Sequence, residues 1–153
     1  MIKILFVCLG NICRSPAAHA VMQQMIDAAG VSEKFFVDSA GTGDYHIGQL
    51  PDARMRRHGG KRGYRIDSRA RQINRQDVDT FDMIITMDES NYANVKRLMS
   101  KQQLTKLHKL SDFSDIPGFI EVPDPYHGNA ATFEAVIDLI EDACNGLLQR
   151  YIA

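Results

Sequence analysis

From Ile2 to Cys8 the chain is apolar except for Lys3, the pattern of a strand buried on both faces. Then the pattern changes. Ser15 reads as an N-cap with Pro16 at the first helical position, and Gly30 ends the helix they open. Phe35–Val37 begins a second strand, and Pro51–His58 predicts a short helix closed by Gly59 and Gly60. Asn74 caps another short helix, Met83–Met87 forms a third buried strand, Glu89–Met99 is helical, and Leu104–Leu110 holds a fourth strand. The clearest period comes last: Phe133, Val136, Ile137, Ile140, Cys144, Leu147, Leu148 and Tyr151 share one helical face. Buried strands alternating with helices predict an α/β fold, a parallel sheet covered on both sides. No repeat, low-complexity tract or linker breaks the alternation, so residues 1–153 are expected to form a single domain. In such folds ligands gather at the carboxyl ends of the strands, which directs attention to whatever follows Cys8.

Composition changes this picture little. With 153 residues, 44% of them apolar and 24% charged, the chain has the make-up of a soluble globular protein with its own core. Three cysteines, at positions 8, 13 and 144, are too few and too scattered for a secreted disulfide scaffold and point to a reducing compartment. The apolar run Ile4–Leu9 is short for a signal peptide, and Asn11 and Arg14 interrupt it before the cleavage-like Ala18-His19-Ala20. No segment approaches the roughly 18 apolar residues of a membrane span, so a cytoplasmic protein without membrane attachment is expected. Charge is uneven: Arg54–Arg75 carries nine basic residues against the single acid Asp67, while the whole chain is at −1. That asymmetry can draw an anionic ligand to one side. Nucleic acid is not expected as the partner, because the basic segment lacks interleaved aromatics beyond Tyr64.

The candidate chemistry lies in Cys8-Leu9-Gly10-Asn11-Ile12-Cys13-Arg14-Ser15. A cysteine ends a strand, and an arginine six positions later precedes a helix start. The N–H groups of a tight loop and the positive end of a helix dipole can together make an anion nest. Arg14 adds a planar fork matched to two phosphate oxygens. The same field favours the thiolate of Cys8, a nucleophile facing the bound phosphoryl group. Gly10 lets the loop turn, and Ser15 could hydrogen-bond the sulfur when it leaves. A metal site of Cys8, Cys13 and His19 would lack a fourth ligand at usable spacing, and no nucleotide-binding glycine loop is present; no metal or cofactor is expected. Among 14 aspartates, spacing alone cannot choose a general acid. Asp124, held between Pro123 and Pro125, is suggestive.

The segment Val7–Pro16 resembles the signature loop of the low-molecular-weight protein-tyrosine phosphatases, and the resemblance continues through Asp38–Thr42, Ala70–Ile73, Phe81-Asp82, Met87–Asn91 and Asp124-Pro125-Tyr126. It implies a flavodoxin-like three-layer sandwich with a four-stranded parallel sheet flanked by helices. It also implies hydrolysis of phosphotyrosine and small aryl phosphates through a cysteinyl-phosphate. By the resemblance Cys8 is the nucleophile, Arg14 the phosphate clamp and Asp124 the general acid and then base. Leu9, Gly10, Asn11, Ile12, Cys13 and Ser15 complete the phosphate loop, with Ser39 supporting it. Tyr45 and Tyr126 would sandwich the phenyl ring, a deep aromatic slot that favours phosphotyrosine over phosphoserine. The implied partners are phosphotyrosine-containing proteins, with inorganic phosphate as product. Many relatives carry a histidine at the position of Ser68, bonding the loop asparagine, so that support is expected to be weaker or rearranged here. Tyr126 is followed by His127, which removes the second tyrosine that eukaryotic relatives use for control. Cys13 matches a second loop cysteine and is expected to form a reversible disulfide with Cys8. Cys144, on an apolar helix face, belongs to the core.

Three rivals remain. A thiol-coupled arsenate reductase needs relay cysteines near the third strand, and Thr80–Asn94 contains none. A protein-arginine phosphatase on this scaffold places threonine where Ile12 stands. A silent phosphopeptide-binding module would need neither the cysteine nor the acid.

Overall fold

The computed structural model describes residues 1–152. Four parallel strands, β1 (Ile2–Cys8), β2 (Phe35–Gly41), β3 (Met83–Thr86) and β4 (Leu107–Lys109), form one sheet in the order β2-β1-β3-β4. Five α-helices cover it: α1 (Arg14–Ala28), α2 (Ala53–Lys61), α3 (Arg75–Thr80), α4 (Glu89–Lys96) and α5 (Ala130–Ile152). The side chains of β1 alternate between two cores. Ile4, Phe6 and Cys8 face a large cluster with α1, α2 and α5, whereas Leu5 and Val7 face a smaller one with Val78, Phe81 and Val95 around α3 and α4. Burial on both faces is why β1 reads as one apolar run. It also puts Cys8 at the carboxyl end of a central strand, where the order turns outward in both directions and a crevice opens.

Several predicted boundaries move, each for a physical reason. Helix α1 begins at Arg14, so Cys13 occupies the N-cap position without a capping side chain, and Ser15 and Pro16 lie inside the first turn. The Ser15 hydroxyl is engaged elsewhere, as shown below. Gly30 does end the helix, at φ +71°, with Val31 N–H donating to Ile26 C=O at 3.2 Å and Gly30 N–H to Asp27 C=O at 3.1 Å. Strand β2 runs on to Gly41 because its second half pairs with Leu5–Cys8. Helix α2 passes through Gly59 and Gly60: Gly59 is a packing glycine, where a Cβ would come within 2.4 Å of Ile66 Cδ1. Helix α4 stops at Lys96 rather than Met99.

Helix α5 carries the apolar stripe, with Phe133, Ile140, Cys144 and Leu147 fully buried. Gly146 lies against the chain turn at Phe113, whose carbonyl oxygen would be 1.9 Å from an added Cβ. Gly146→Ala must push backbone from backbone. We expect it to lower stability by about 2 kcal/mol, or roughly 4–8 °C in Tm, against the gain from helix propensity that alanine brings at an open site. Thermal unfolding of wild type and variant checks this; an unchanged or raised Tm would contradict the close packing.

Candidate active site

The loop leaving β1 is held from outside, so that its interior stays open. The carbonyls of Cys8 and Leu9 accept from Thr42 and Gly43 N–H, each at 2.9 Å, and that of Ile12 accepts from Asp52 N–H at 2.8 Å. Among the described residues no protein acceptor takes the N–H groups of Leu9, Gly10, Asn11, Ile12 or Cys13. A run of free amides at a helix N-terminus is an anion nest. Gly41 allows the fold to close this tightly: a Cβ there would sit 2.7 Å from the Leu9 carbonyl oxygen.

Asn11 locks the curve. It is the one non-glycine residue at positive φ among those described, +55°, a conformation asparagine tolerates better than most. Its buried side chain is bonded on both sides, with Nδ2 donating to Ser15 Oγ at 2.7 Å and Ser39 Oγ at 3.0 Å, and Oδ1 accepting from Arg71 N–H at 3.0 Å. The Arg71 amide fixes which end of the amide is oxygen. It is also the rearranged support for the loop: Ser68 makes no hydrogen bond to Asn11, and the main chain three residues later does. Arg71 is itself held, by Asp77 at 3.0 Å and Asp38 at 3.0 Å.

Cys8 Sγ lies 3.0 Å from Ser15 Oγ and is nearly sealed from solvent. Because Asn11 already donates to that hydroxyl, its own hydrogen is free to point at the sulfur, the alternative being the Ala40 carbonyl at 3.3 Å. A thiolate can only accept, so ionisation of Cys8 turns the hydroxyl toward it. Ser15 thus spends its side chain on the sulfur rather than on the helix end.

Arg14, 2% exposed, is aimed by two acids from distant segments. Its Nη1 donates to Asp88 Oδ2 at 2.6 Å and to the Val122 carbonyl at 3.1 Å, and Nη2 stands 3.6 Å from Asp124 Oδ2. Burial works against the guanidinium charge, but Cys8, Asp88 and Asp124 together outweigh it and raise the Arg14 pKa. Asp88 is fixed in turn as the N-cap of α4, accepting from Asn91 N–H at 2.8 Å. Burial, reinforced by Asp52, Cys8 and Asp124, pushes the Cys13 thiol far up and keeps it protonated.

Cys8, Arg14 and Asp124 line one cavity of about 220 Å³, whose walls include Ile12, Tyr45 and Tyr126. Asp124 is the one carboxylate in that lining among the described residues; Asp88 is tied to Arg14, and Asp52 to Arg54 at 2.9 Å. Tyr45 is 68% and Tyr126 42% exposed, as rim side chains would be. Leu9 and Gly10 are also in the lining, Cys13 lies beside them, and Asn11, Ser15 and Ser39 form the web behind. His46 and His127 complete the mouth; nothing in the local pattern marks His46, and His127 was noted only as replacing a tyrosine. Asp88 was also missed; it is 74 positions from the arginine it holds.

Of the basic segment, Arg54, Arg62, Arg65 and Arg71 are paired with acids. Arg62 alone bridges Glu134, Asp138 and Glu141 on α5. Arg54, Arg62 and Arg71 thus find their acids outside the segment, and Arg65 pairs with the segment's own Asp67. No helix among the described residues is long and apolar enough to cross a membrane.

The class defined by fold and site is an α/β chain that presents a thiol to an anion-binding loop at a strand's carboxyl end. Residues 3–152 match the family model described as low molecular weight phosphotyrosine protein phosphatase. The chain belongs to that family. A Synechocystis relative named for the same family is 51% identical over 147 residues, covering 95% of this chain and 94% of that protein. The low molecular weight phosphotyrosine protein phosphatase of Rattus norvegicus is 39% identical over 150 residues, covering 97% and 94%. In the crystal structure of a protein tyrosine phosphatase from Entamoeba histolytica the same fold recurs at a TM-score of 0.96 and 47% identity, covering 98% of this chain and 96% of that one. The flavodoxin-like expectation for the sheet and its helices holds.

Proposed function

We propose that this chain, acting as one domain, hydrolyses phosphotyrosine in proteins, and small aryl phosphates, through a phosphate ester on the Cys8 sulfur. The observation that carries this reading is the convergence of a thiol, a guanidinium and a single carboxylate on one amide-lined cavity. The loop amides and Arg14 hold the phosphoryl oxygens and offset the charge that builds up on them. Cys8 thiolate attacks phosphorus as the aryl oxygen departs on the opposite side, and the Asp124 carboxyl gives that oxygen its proton. Asp124, now a carboxylate, takes a proton from water as the water attacks the cysteinyl-phosphate. Inorganic phosphate leaves and the Cys8 thiolate returns, accepting from Ser15. Phosphoproteins are the partners in this reading. Protein arms around Arg14 and the nest do the electrostatic work, so the scheme calls for no metal.

Protonation matters most for a poor leaving group. Phenolate, with a reference pKa near 10, needs the acid far more than p-nitrophenolate, whose anion is stabilised internally. Asp124→Asn is therefore expected to cut kcat/KM for phenyl phosphate by roughly 10²–10³-fold, with a much smaller loss for p-nitrophenyl phosphate. Equal losses for the two esters would remove Asp124 from the acid role.

Mild peroxide gives a second check. Oxidation of Cys8 thiolate by peroxide yields a sulfenic acid, and the Cys13 sulfur, giving up its proton to the departing hydroxyl as it attacks, then forms a Cys8–Cys13 disulfide with loss of water. The two residues line the same cavity as free thiols, while Cys144 is fully buried on α5 and is not part of that lining. Peptide mass mapping should find the bridge, and a dithiol should restore activity. Cys8 sulfonic acid without any bridge would contradict it. The complete burial of Cys144, outside the cavity lining, also disfavours an arsenate-reductase cycle, and turnover of phosphotyrosine against phosphoarginine peptides separates the remaining same-fold alternative.

A further inference from the structure

We infer that Arg54 is a positioning residue that sets the aim of the Asp124 carboxyl by clamping Tyr126 to the phosphate loop. This rests on the phosphatase reading above and adds to it the group that orients the acid.

Tyr126 is grasped from both sides of its backbone. Its N–H donates to Asp124 Oδ1 at 3.1 Å, so the carboxylate and the residue two positions on form one turn. Its carbonyl accepts from Arg54 Nη2 at 2.9 Å. The same guanidinium is held by Asp52, with Nη2 to Oδ2 at 2.9 Å and Nε to Oδ1 at 3.1 Å. Asp52 in turn donates its N–H to the Ile12 carbonyl at 2.8 Å, inside the loop that faces the phosphate. A continuous path therefore runs from the phosphate loop through Asp52 and Arg54 to the Tyr126 peptide and Asp124. Without it, the acid sits on an exposed turn steadied by proline and by a 3.6 Å approach to Arg14.

Arginine suits the place for reasons beyond charge. Its guanidinium carbon stands 5.5 Å from the centre of the Tyr126 ring and 4.7 Å from that of Phe133, which is fully buried on α5. One planar group thus stacks on a wall of the cavity, is anchored on the core, and keeps fork geometry for Asp52 and the Tyr126 carbonyl. Lysine could supply the charge but not these directions. The N-cap role of Asp52 does not need the Arg54 side chain, because Asp52 Oδ1 accepts the backbone N–H of residue 54 at 2.8 Å, and alanine retains that bond.

A small displacement of an acid relative to a departing oxygen is costly where the proton is needed. Arg54→Ala is expected to lower kcat/KM for phenyl phosphate roughly ten-fold or more, and that for p-nitrophenyl phosphate by less than about three-fold, since less depends on the proton. Arg54→Lys should recover part of the loss. In an Asp124→Asn background the substitution should add almost nothing, because the group it aims is gone. Equal losses for the two esters, or losses that multiply in the double variant, would overturn the inference and leave Arg54 a substrate contact or a general stabiliser. A wild type inert toward both esters would overturn the phosphatase reading and this inference with it.

Discussion

Cys8→Ser should bring turnover of p-nitrophenyl phosphate down by at least about 10⁴-fold while leaving the phosphate nest intact. The oxygen that replaces sulfur keeps its proton near neutral pH, so no nucleophilic anion faces the phosphorus. The rest of the site does not depend on the sulfur. Loop carbonyls remain tied to Thr42, Gly43 and Asp52, Asn11 remains bonded to Ser15, Ser39 and Arg71, and Arg14 remains on Asp88. Removing a negative sulfur also removes a charge that repels phosphate. Inorganic phosphate at about a hundred times its Kd should thus still stabilise the variant by about 2.7 kcal/mol, a rise of roughly 5–10 °C in Tm. Loss of both activity and phosphate stabilisation would mean that the cysteine holds the loop's shape, not the reaction. Survival of activity would exclude the mechanism.

The second large effect concerns Arg14. Arg14→Lys keeps a positive charge but gives up the fork, so one ammonium must choose between Asp88, the Val122 carbonyl and the phosphoryl oxygens that Arg14 serves together. Asp88 is close and fixed by α4, and it captures the ammonium. A fall of roughly 10²–10³-fold in kcat/KM is expected, with weakened phosphate stabilisation in the same thermal assay. Asp88→Asn then becomes informative: by loosening the competitor it should return part of the lost activity to the lysine variant, although it harms the wild type, whose arginine loses its aim. A lysine variant with activity within a few-fold of wild type would show that charge alone serves the site.

How much of this was legible in the sequence follows from the range of each interaction. Strand β1 could be read because burial on both faces makes it one apolar run, and helix α5 because burial on one face stamps a period on its residues. The loop Cys8–Ser15 could be read because strand end, six-residue spacing and helix start are all local. The end of α2 could not, since Gly59 and Gly60 look like a stop and only the contact with Ile66 shows that Gly59 is a packing residue. Ser15 was misread only as a cap: a serine before proline looks like one, but the hydroxyl is drawn off to Asn11 and to the Cys8 sulfur, the contact the loop pattern had suggested. The acids divide along the same line. Fourteen aspartates are equivalent in composition, and it takes the folded chain to show Asp88 and Asp52 occupied by arginines while Asp124 faces the cavity. The family resemblance implied Asp124 as the acid; it offered nothing on Arg54.

The phosphoenzyme itself is the decisive species. Wild-type protein mixed with a phosphotyrosine peptide, quenched in acid within a turnover and digested, should carry one phosphoryl group on the peptide that contains Cys8, and on no other. A phosphoryl group on a different side chain, or brisk turnover with none trapped on the sulfur at any time, would contradict the central claim that the ester passes through Cys8.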